Sequence, residues 1–321
     1  MTAPAPEPSE EKELVIPADH AGARLDATLA KLLTNRSRSF ITMLIDDGAI
    51  LLNGQPAKPS KKVKGGDTVS MEWPEPEVIE AKAENIPLRV IHEDSDLIVV
   101  NKPAHMCTHP GPGHGTGTLV NALLGHCKDL SGINGALRPG IVHRLDMDTS
   151  GVIVSAKNDR THQALQEQFA NREVKKQYLA LCYGNPPRSP FSCNGRIGRH
   201  PTRRTEMTVM RGADEGREAY TEFEVLQRLR EGRLFLVLAK PRTGRTHQIR
   251  VHLAKASYPI LCDGMYGKET VLDEINLSRH ALHAYTLEIT HPGTGVRMKF
   301  AAPLEDDMKN ALLVLGGQPI G

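Results

Sequence analysis

The sequence predicts an α+β protein, a catalytic body built on a largely antiparallel central sheet with a small α/β module at its amino terminus. Three observations predict it. From Leu88 onward, short runs of strand character recur and are only occasionally interrupted by helical periodicity. Residues 14–73 form a basic segment with helices and a hairpin of their own. A proline- and glutamate-rich stretch, residues 74–87, separates the two. At 321 residues the chain has room for both domains.

Taken in order, residues 1–13 hold Pro4, Pro6 and Pro8 among Glu7, Glu10, Glu11 and Glu13, without a basic start or an apolar core. That composition predicts a disordered acidic tail and not a signal peptide. Leu25, Leu29, Leu32 and Leu33 share one side of a helix over 25–33. Ser37 is placed to cap a second helix, whose stripe is Phe40, Ile41, Leu44 and Ile45 and whose end is Gly48. Ile50 to Leu52 then run into Asn53-Gly54, a strong hairpin signal, and a strand over 68–73 closes the module. Between Arg24 and Lys64, the residues Lys31, Arg36, Arg38, Lys58, Lys61 and Lys62 outweigh Asp26, Asp46 and Asp47. Arg36, Arg38, Lys61 and Lys62 are its candidate RNA contacts.

In the larger region, residues 88–321, strands are expected at 89–91, 97–101, 151–156, 178–183, 219–226 and 234–238. Helices are expected at 118–125, 160–170 and 248–255. A net charge of +2 identifies no partner by itself, but basic residues are clustered. Arg196, Arg199, Arg203, Arg204 and Arg211 share one Gly- and Pro-broken stretch, which suits a loop or hairpin touching a polyanion. A second cluster, Lys240, Arg242, Arg245, His247, Arg250, His252 and Lys255, contains no acid, and a third is Arg172, Lys175 and Lys176. Basic patches with the acids relegated to tail and linker point to a nucleic-acid partner. Five cysteines without a CxxC pair indicate reduced thiols, and no apolar stretch approaches the roughly eighteen residues of a membrane span. The expectation is a cytoplasmic monomer.

Several chemistries fail on spacing. His247 and His252 do not form HExxH and have no further ligands at zinc intervals, so no metal is expected. The run from His109 to Gly117 satisfies neither GxGxxG nor GxxxxGK[ST], and no GxSxG elbow occurs. What remains is the run from His143 to Gly151, where Asp146 lies near Arg144 and a polar turn before apolar residues 152–154. On spacing alone this is equally a turn with Asp148, Thr149 and Ser150 bonding their own backbone. As a catalyst, Asp146 would need to be ionised in a partly dry pocket, with Arg245 or Arg144 as the neighbouring cation. Tyr178 stands out because tyrosines number only six and tryptophan one.

These residues resemble the RluA/RluD family of RNA pseudouridine synthases, and most closely its RluD branch. The resemblance rests on His143-Arg144-Leu145-Asp146 with Asp148 to Gly151, Asn101-Lys102-Pro103 with Thr108 to Pro110, and Lys176 to Ala180. It extends through Thr243 to Leu253, Asp263-Gly264-Met265-Tyr266-Gly267 and His280 to Ala284. The small module resembles the RNA-binding domain named after ribosomal protein S4. Together these cover all but the tail, linker and extreme carboxyl terminus. The resemblance implies the pseudouridine synthase fold and isomerisation of uridine in structured RNA without a cofactor. It implies Asp146 as catalyst, Tyr178 stacking on the target base, Arg245 paired with Asp146, and Arg144 filling the space left by a flipped nucleotide. The RNA-contacting set expected beside Arg144 is Thr149, Arg199, Arg203, Arg204, Arg242, His247 and Arg250. Large-subunit ribosomal RNA or its precursor particle is the expected substrate. Transfer RNA, and a mainly RNA-binding role in ribosome assembly, are the alternatives. Two positions depart from the family pattern: His105 and Cys262 stand where glycine is usual, and larger side chains there are expected to narrow the cleft.

Overall fold

The structure, a computed structural model, describes residues 12–33, 38–72, 81–111, 113–133, 138–210, 212, 215–267 and 274–320, with Lys12, Ser39 and Phe40 as backbone only. Arg36, Ser37, Arg211, the Phe40 side chain, residues 1–11 of the tail and residues 74–80 of the linker lie outside the described residues. The chain divides after Val78 into two compact units.

In the first unit, strand β1 (Lys12–Val15) leads through helices α1 (Leu25–Leu32) and α2 (Arg38–Asp46) to β2 (Ile50–Leu52), β3 (Gln55–Pro56) and β4 (Thr68–Met71). The four strands form an antiparallel sheet in the order β1-β4-β2-β3. Helical spacing brings Leu25 and Leu29 of α1 together with Ile41, Leu44 and Ile45 of α2, and all five are buried with Val69 and Met71 of β4. Asn53 and Gly54 take left-handed backbone at φ 51° and 71°, as a two-residue hairpin turn requires. One expectation is corrected: β1 starts at Lys12, inside the segment read as tail. Its pairing with β4 places Leu14 opposite Val69, and that apolar contact outweighs the local acidity. Beneath the helices Asp26 is buried, bonded by Arg24 and Arg38.

The second unit holds β5 (Val90–Glu93), β6 (Leu97–Lys102), α3 (Leu119–His126), β7 (Ser150–Ala156), α4 (Asp159–Ala170), β8 (Lys175–Tyr183), β9 (Phe191–Arg199) and β10 (Met207–Val209). It continues through β11 (Arg217–Leu229), β12 (Leu234–Pro241), α5 (Gln248–Lys255), β13 (Leu282–Thr290), β14 (Arg297–Ala301) and α6 (Asp306–Val314). Among the described residues the sheet runs β10-β9-β11-β12-β8-β13-β7-β6-β5, with β14 also on β13. Every pairing is antiparallel except β13 with β7. At that parallel seam Gly151 has φ 117°, and a Cβ there would stand 2.1 Å from the Ala284 carbonyl oxygen. Only glycine allows the close approach.

Residues 81–87, read as linker, belong to this unit. Asn121 Nδ2 donates to the Lys82 carbonyl at 2.7 Å, the Glu84 carboxylate accepts the Gly117 amide at 3.1 Å, and Ala81, Ile86 and Leu88 pack on the core around α3. The proline and glutamate content hid a strap that caps the glycine-rich loop. The β9–β10 pair is the hairpin offered as one option for the arginine-rich stretch, whereas strands β13 and β14 and helix α6 were not expected. Strand β9 contains Asn194, Gly195, Arg196, Gly198 and Arg199, and its hydrogen bonds to β10 and β11 hold it where residue preference does not.

Candidate active site

The loop leading into β7, strand β8 and the start of helix α5 converge on a cavity of about 520 Å³, whose lining includes Arg144, Asp146, Tyr178, Arg242, Arg245 and His247. The loop carrying Asp146 is fastened from several sides. Leu145 is buried, its carbonyl accepts the Thr108 hydroxyl at 2.8 Å, and its amide donates back to the same oxygen at 3.2 Å. Lys102, fully buried at the end of β6, donates to the carbonyls of Pro103, Met106 and Met147 at 2.8, 2.9 and 3.1 Å. Burial, then the Arg279 charge, pulls the Lys102 pKa down to about 7. Three carbonyl acceptors match the three protons of an ammonium, so the geometry favours the charged form against that pull. Arg279, paired with Asp307 at 2.7 Å, donates to the Asp148 carbonyl at 3.1 Å. The Thr149 and Ser150 hydroxyls meet His280 and His283, each at 2.9 Å. The turn reading of 148–150 thus holds for the Thr149 amide, which donates to the Asp146 carbonyl, whereas the Thr149 and Ser150 side chains anchor the turn to His280 and His283 and the Asp148 carboxylate meets His105 Nδ1 at 2.9 Å.

With its backbone held, Asp146 keeps its side chain one-fifth exposed toward the cavity. Arg250 Nη1 donates to Asp146 Oδ2 at 3.4 Å, and His247 Nε2 lies 3.9 Å from the same oxygen. This corrects the expected pairing. Arg245 precedes α5 and turns away, its Nε donating to the Glu218 carbonyl at 3.0 Å. Arg250 lies inside the helix, where it is buried and grips Asp263 through Nε and Nη2 at 2.7 and 2.8 Å. Burial lowers the guanidinium pKa, but Asp263 and then Asp146 hold it raised, so a permanent cation stands at the carboxylate. Arg250 is therefore not free to meet RNA. Thr149, also expected to touch RNA, is 2% exposed with its hydroxyl committed to His280.

Tyr178 on β8 enters the same cavity. Burial, then the Asp146 charge, raises its phenol pKa, so it presents a ring face and a proton to donate. Burial also lowers His247, with Asp146 opposing, which favours a neutral imidazole. His143 is structural: burial brings it to about 3, its Nε2 accepts the Val154 amide at 3.1 Å, and its ring stacks on Phe169.

The cavity rim is cationic. Arg172, Arg217 and Arg245 gather there, and burial followed by the charges of Arg217 and Arg172 lowers the Arg245 pKa. Like charges so crowded favour an anionic ligand. Lys176, which sequence placed in the third basic cluster without a role at the site, is brought down to about 8 by burial and then by Arg245. Its position two residues before Tyr178 on one strand was the available signal, since such residues share a face. Arg242 pairs with Glu222 at 2.9 Å and lies over the Tyr220 ring. Arg199, Arg203 and Arg204 occupy the exposed β9–β10 hairpin, outside the cavity lining. In the first unit Lys61 and Lys62 are exposed, whereas Arg38 is engaged by Asp26 at 2.9 Å. His105 and Cys262 do not line the cavity, so the expected narrowing is absent. Both adopt left-handed backbone, at φ 61° and 58°, which accounts for glycine being usual there.

The family model for RNA pseudouridylate synthase matches residues 96–255, and the S4 domain matches residues 23–69. The chain is 43% identical over 285 residues to the uncharacterized RNA pseudouridine synthase YlyB of Bacillus subtilis (strain 168), covering 89% of this chain and 91% of that protein. It is 40% identical over 311 residues to the ribosomal large subunit pseudouridine synthase D of Neisseria meningitidis serogroup A, covering 94% and 81%. Among solved structures, human RNA pseudouridylate synthase domain containing 4 is similar, with TM-score 0.55 and 27% identity over 72% of this chain and 94% of that one. Among the described residues no helix is long and apolar enough to cross a membrane. The chain belongs to the RNA pseudouridine synthases, an S4 domain preceding its catalytic sheet.

Proposed function

We propose that the protein isomerises uridine to pseudouridine in large-subunit ribosomal RNA, with Asp146 as the catalytic residue. The observation that carries the catalytic part is a partly exposed carboxylate fixed beside a buried guanidinium in a cavity rimmed by arginines. The substrate rests on the large-subunit pseudouridine synthases D of Neisseria and Xanthomonas campestris, 40% and 38% identical over most of this chain. In the reaction the bond from uracil N1 to the anomeric carbon breaks and a bond from C5 to that carbon forms. The C5 proton is lost and N1 gains one. Redox state is unchanged, so the proposed reaction has no stoichiometric need for a cofactor.

For the base to rotate, the nucleotide must leave the stack and enter the cavity. Tyr178 supplies the face against which it stacks, and Arg144, exposed at the rim, fills the vacated place. Arg250 sets a fixed cation 3.4 Å from the Asp146 carboxylate, the charged pair that each available route uses. Those routes are attack on the anomeric carbon, addition to the uracil ring, and loss of a ribose proton to give a glycal. RNA carrying tritium at uracil C5 is expected to release label with the wild type and not with Asp146→Asn. Release by Asp146→Asn at the wild-type rate refutes the assignment. Mapping pseudouridine in ribosomal and transfer RNA from cells with and without the gene tests the substrate, and sites lost only from transfer RNA would overturn it. The protein is proposed to act as a monomer in the cytoplasm, which sedimentation and fractionation check.

A further inference from the structure

The segment Asp263 to Gly267 remains without a role beyond Asp263 gripping Arg250. Asp263 Oδ1 also accepts the amides of Met265 and Tyr266, both at 3.1 Å, so the carboxylate that fixes Arg250 fixes the turn presenting Tyr266. The Tyr266 ring lies under the Arg250 guanidinium, 5.0 Å from centroid to carbon, and packs with Met207 and Val209 of β10 against Ile197, Ala219 and Val251. Its hydroxyl oxygen accepts the Met207 amide at 2.7 Å and lies 2.8 Å from His247 Nδ1. The other nitrogen of that imidazole faces Asp146. A carboxylate favours N–H over a lone pair, which puts the proton on Nε2 and leaves Nδ1 to accept the phenol proton. The phenol then uses both functions: it accepts from the hairpin strand and donates to the histidine.

Building on the proposed function, we propose that Tyr266 is a positioning residue for the reaction: anchored by the Met207 amide of β10, its hydroxyl fixes the tautomer and ring orientation of His247 toward Asp146. The relay runs from the strand beside Arg199, Arg203 and Arg204 through two hydrogen bonds to one imidazole, whose Nε2 stands 3.9 Å from the Asp146 carboxylate. Burial raises the Tyr266 pKa, consistent with a phenol that stays protonated and donates. The second contact to Asp146 is thus built by an element far along the chain, in addition to the direct pair with Arg250.

Tyr266→Phe keeps the ring under Arg250 and removes only the hydroxyl. In the full-length protein this variant is expected to slow single-turnover tritium release about tenfold, as for loss of one orienting hydrogen bond, with the RNA dissociation constant within about twofold of wild type. Nitrogen NMR of the His247 ring is expected to show the Nε2–H tautomer in wild type and a tautomer mixture in Tyr266→Phe. The double variant with His247→Gln is expected to be no slower than His247→Gln alone. A wild-type rate in Tyr266→Phe, an unchanged His247 spectrum, or additive effects in the double variant would each overturn the proposal. Failure of the wild type to release tritium from any RNA refutes the proposed reaction instead, because the His247 spectrum reports on the relay without turnover.

Discussion

Arginines 245 and 250 occupy one short stretch of sequence, yet the structure gives them opposite tasks. Arg250 is buried between Asp146 and Asp263, and Arg245 joins the cationic rim. Arg250→Ala leaves Asp263 buried and unpaired, a loss of about 3–5 kcal/mol, so both the melting temperature and tritium release should fall. Arg245→Ala should leave the melting temperature within a degree or two and weaken RNA binding most at low salt, with a salt slope smaller by about 1, as for a lost phosphate contact. Titrating both variants with RNA at two salt concentrations checks the division, and equal thermal losses would refute it. Sequence placed both arginines in one acid-free cluster but could not separate them, because the side chain that turns inward is set by where α5 begins and by an aspartate thirteen residues away. Asp146 and Tyr178 stood out singly, one in a compact polar run and the other as a scarce aromatic on a strand; only the family resemblance joined them, and both line one cavity.

At the scale of elements, the β9–β10 hairpin and the β7–β13 seam carry the most consequence. Arg199, Arg203 and Arg204 are exposed on the hairpin. Replacing all three with serine should lower the slope of log affinity against log salt by about 2, with little change in single-turnover rate at saturating RNA. An unchanged slope would show that the hairpin does not meet phosphates. At the seam, Gly151→Ala drives a methyl group into the Ala284 carbonyl, so the variant should be unfolded or destabilised by several kcal/mol, read by thermal melting. Sequence anticipated helices α1 to α5 and the apolar strands β6, β7, β8, β11 and β12, because their apolar residues recur regularly enough to show as periodicity. Strand β13 escaped because His283 and Thr286 lie in its interior as buried polar groups whose partners come from elsewhere in the chain. The Thr149 and Ser150 anchors were illegible alone, since each needs a histidine more than a hundred residues later.

Across the whole molecule, each unit buries charged groups that its pattern of apolar residues does not require. In the first, the Arg24 guanidinium, followed by Arg38 and the Ala27 amide, holds the buried Asp26 carboxyl at about 2 against the pull of burial. Because that value lies below the ordinary carboxylate range, its stabilisation is complete at neutral pH and is lost as pH falls from about 4 toward 2. Asp26→Asn should therefore lower hydrogen-exchange protection across α1 and α2 at pH 7 and flatten its acid dependence. A variant with wild-type acid sensitivity would refute the assignment. In the second unit, the loop that presents Asp146 is held by Arg279 on the Asp148 carbonyl and His280 on Thr149, each 131 residues further along. A ribosome makes Asp146 early and its anchors late. A nascent chain that has folded through β12 holds this loop by Thr108 and Lys102 but still lacks Arg250, Arg279 and His280, so the full set of contacts around the carboxylate arises only when synthesis is nearly finished.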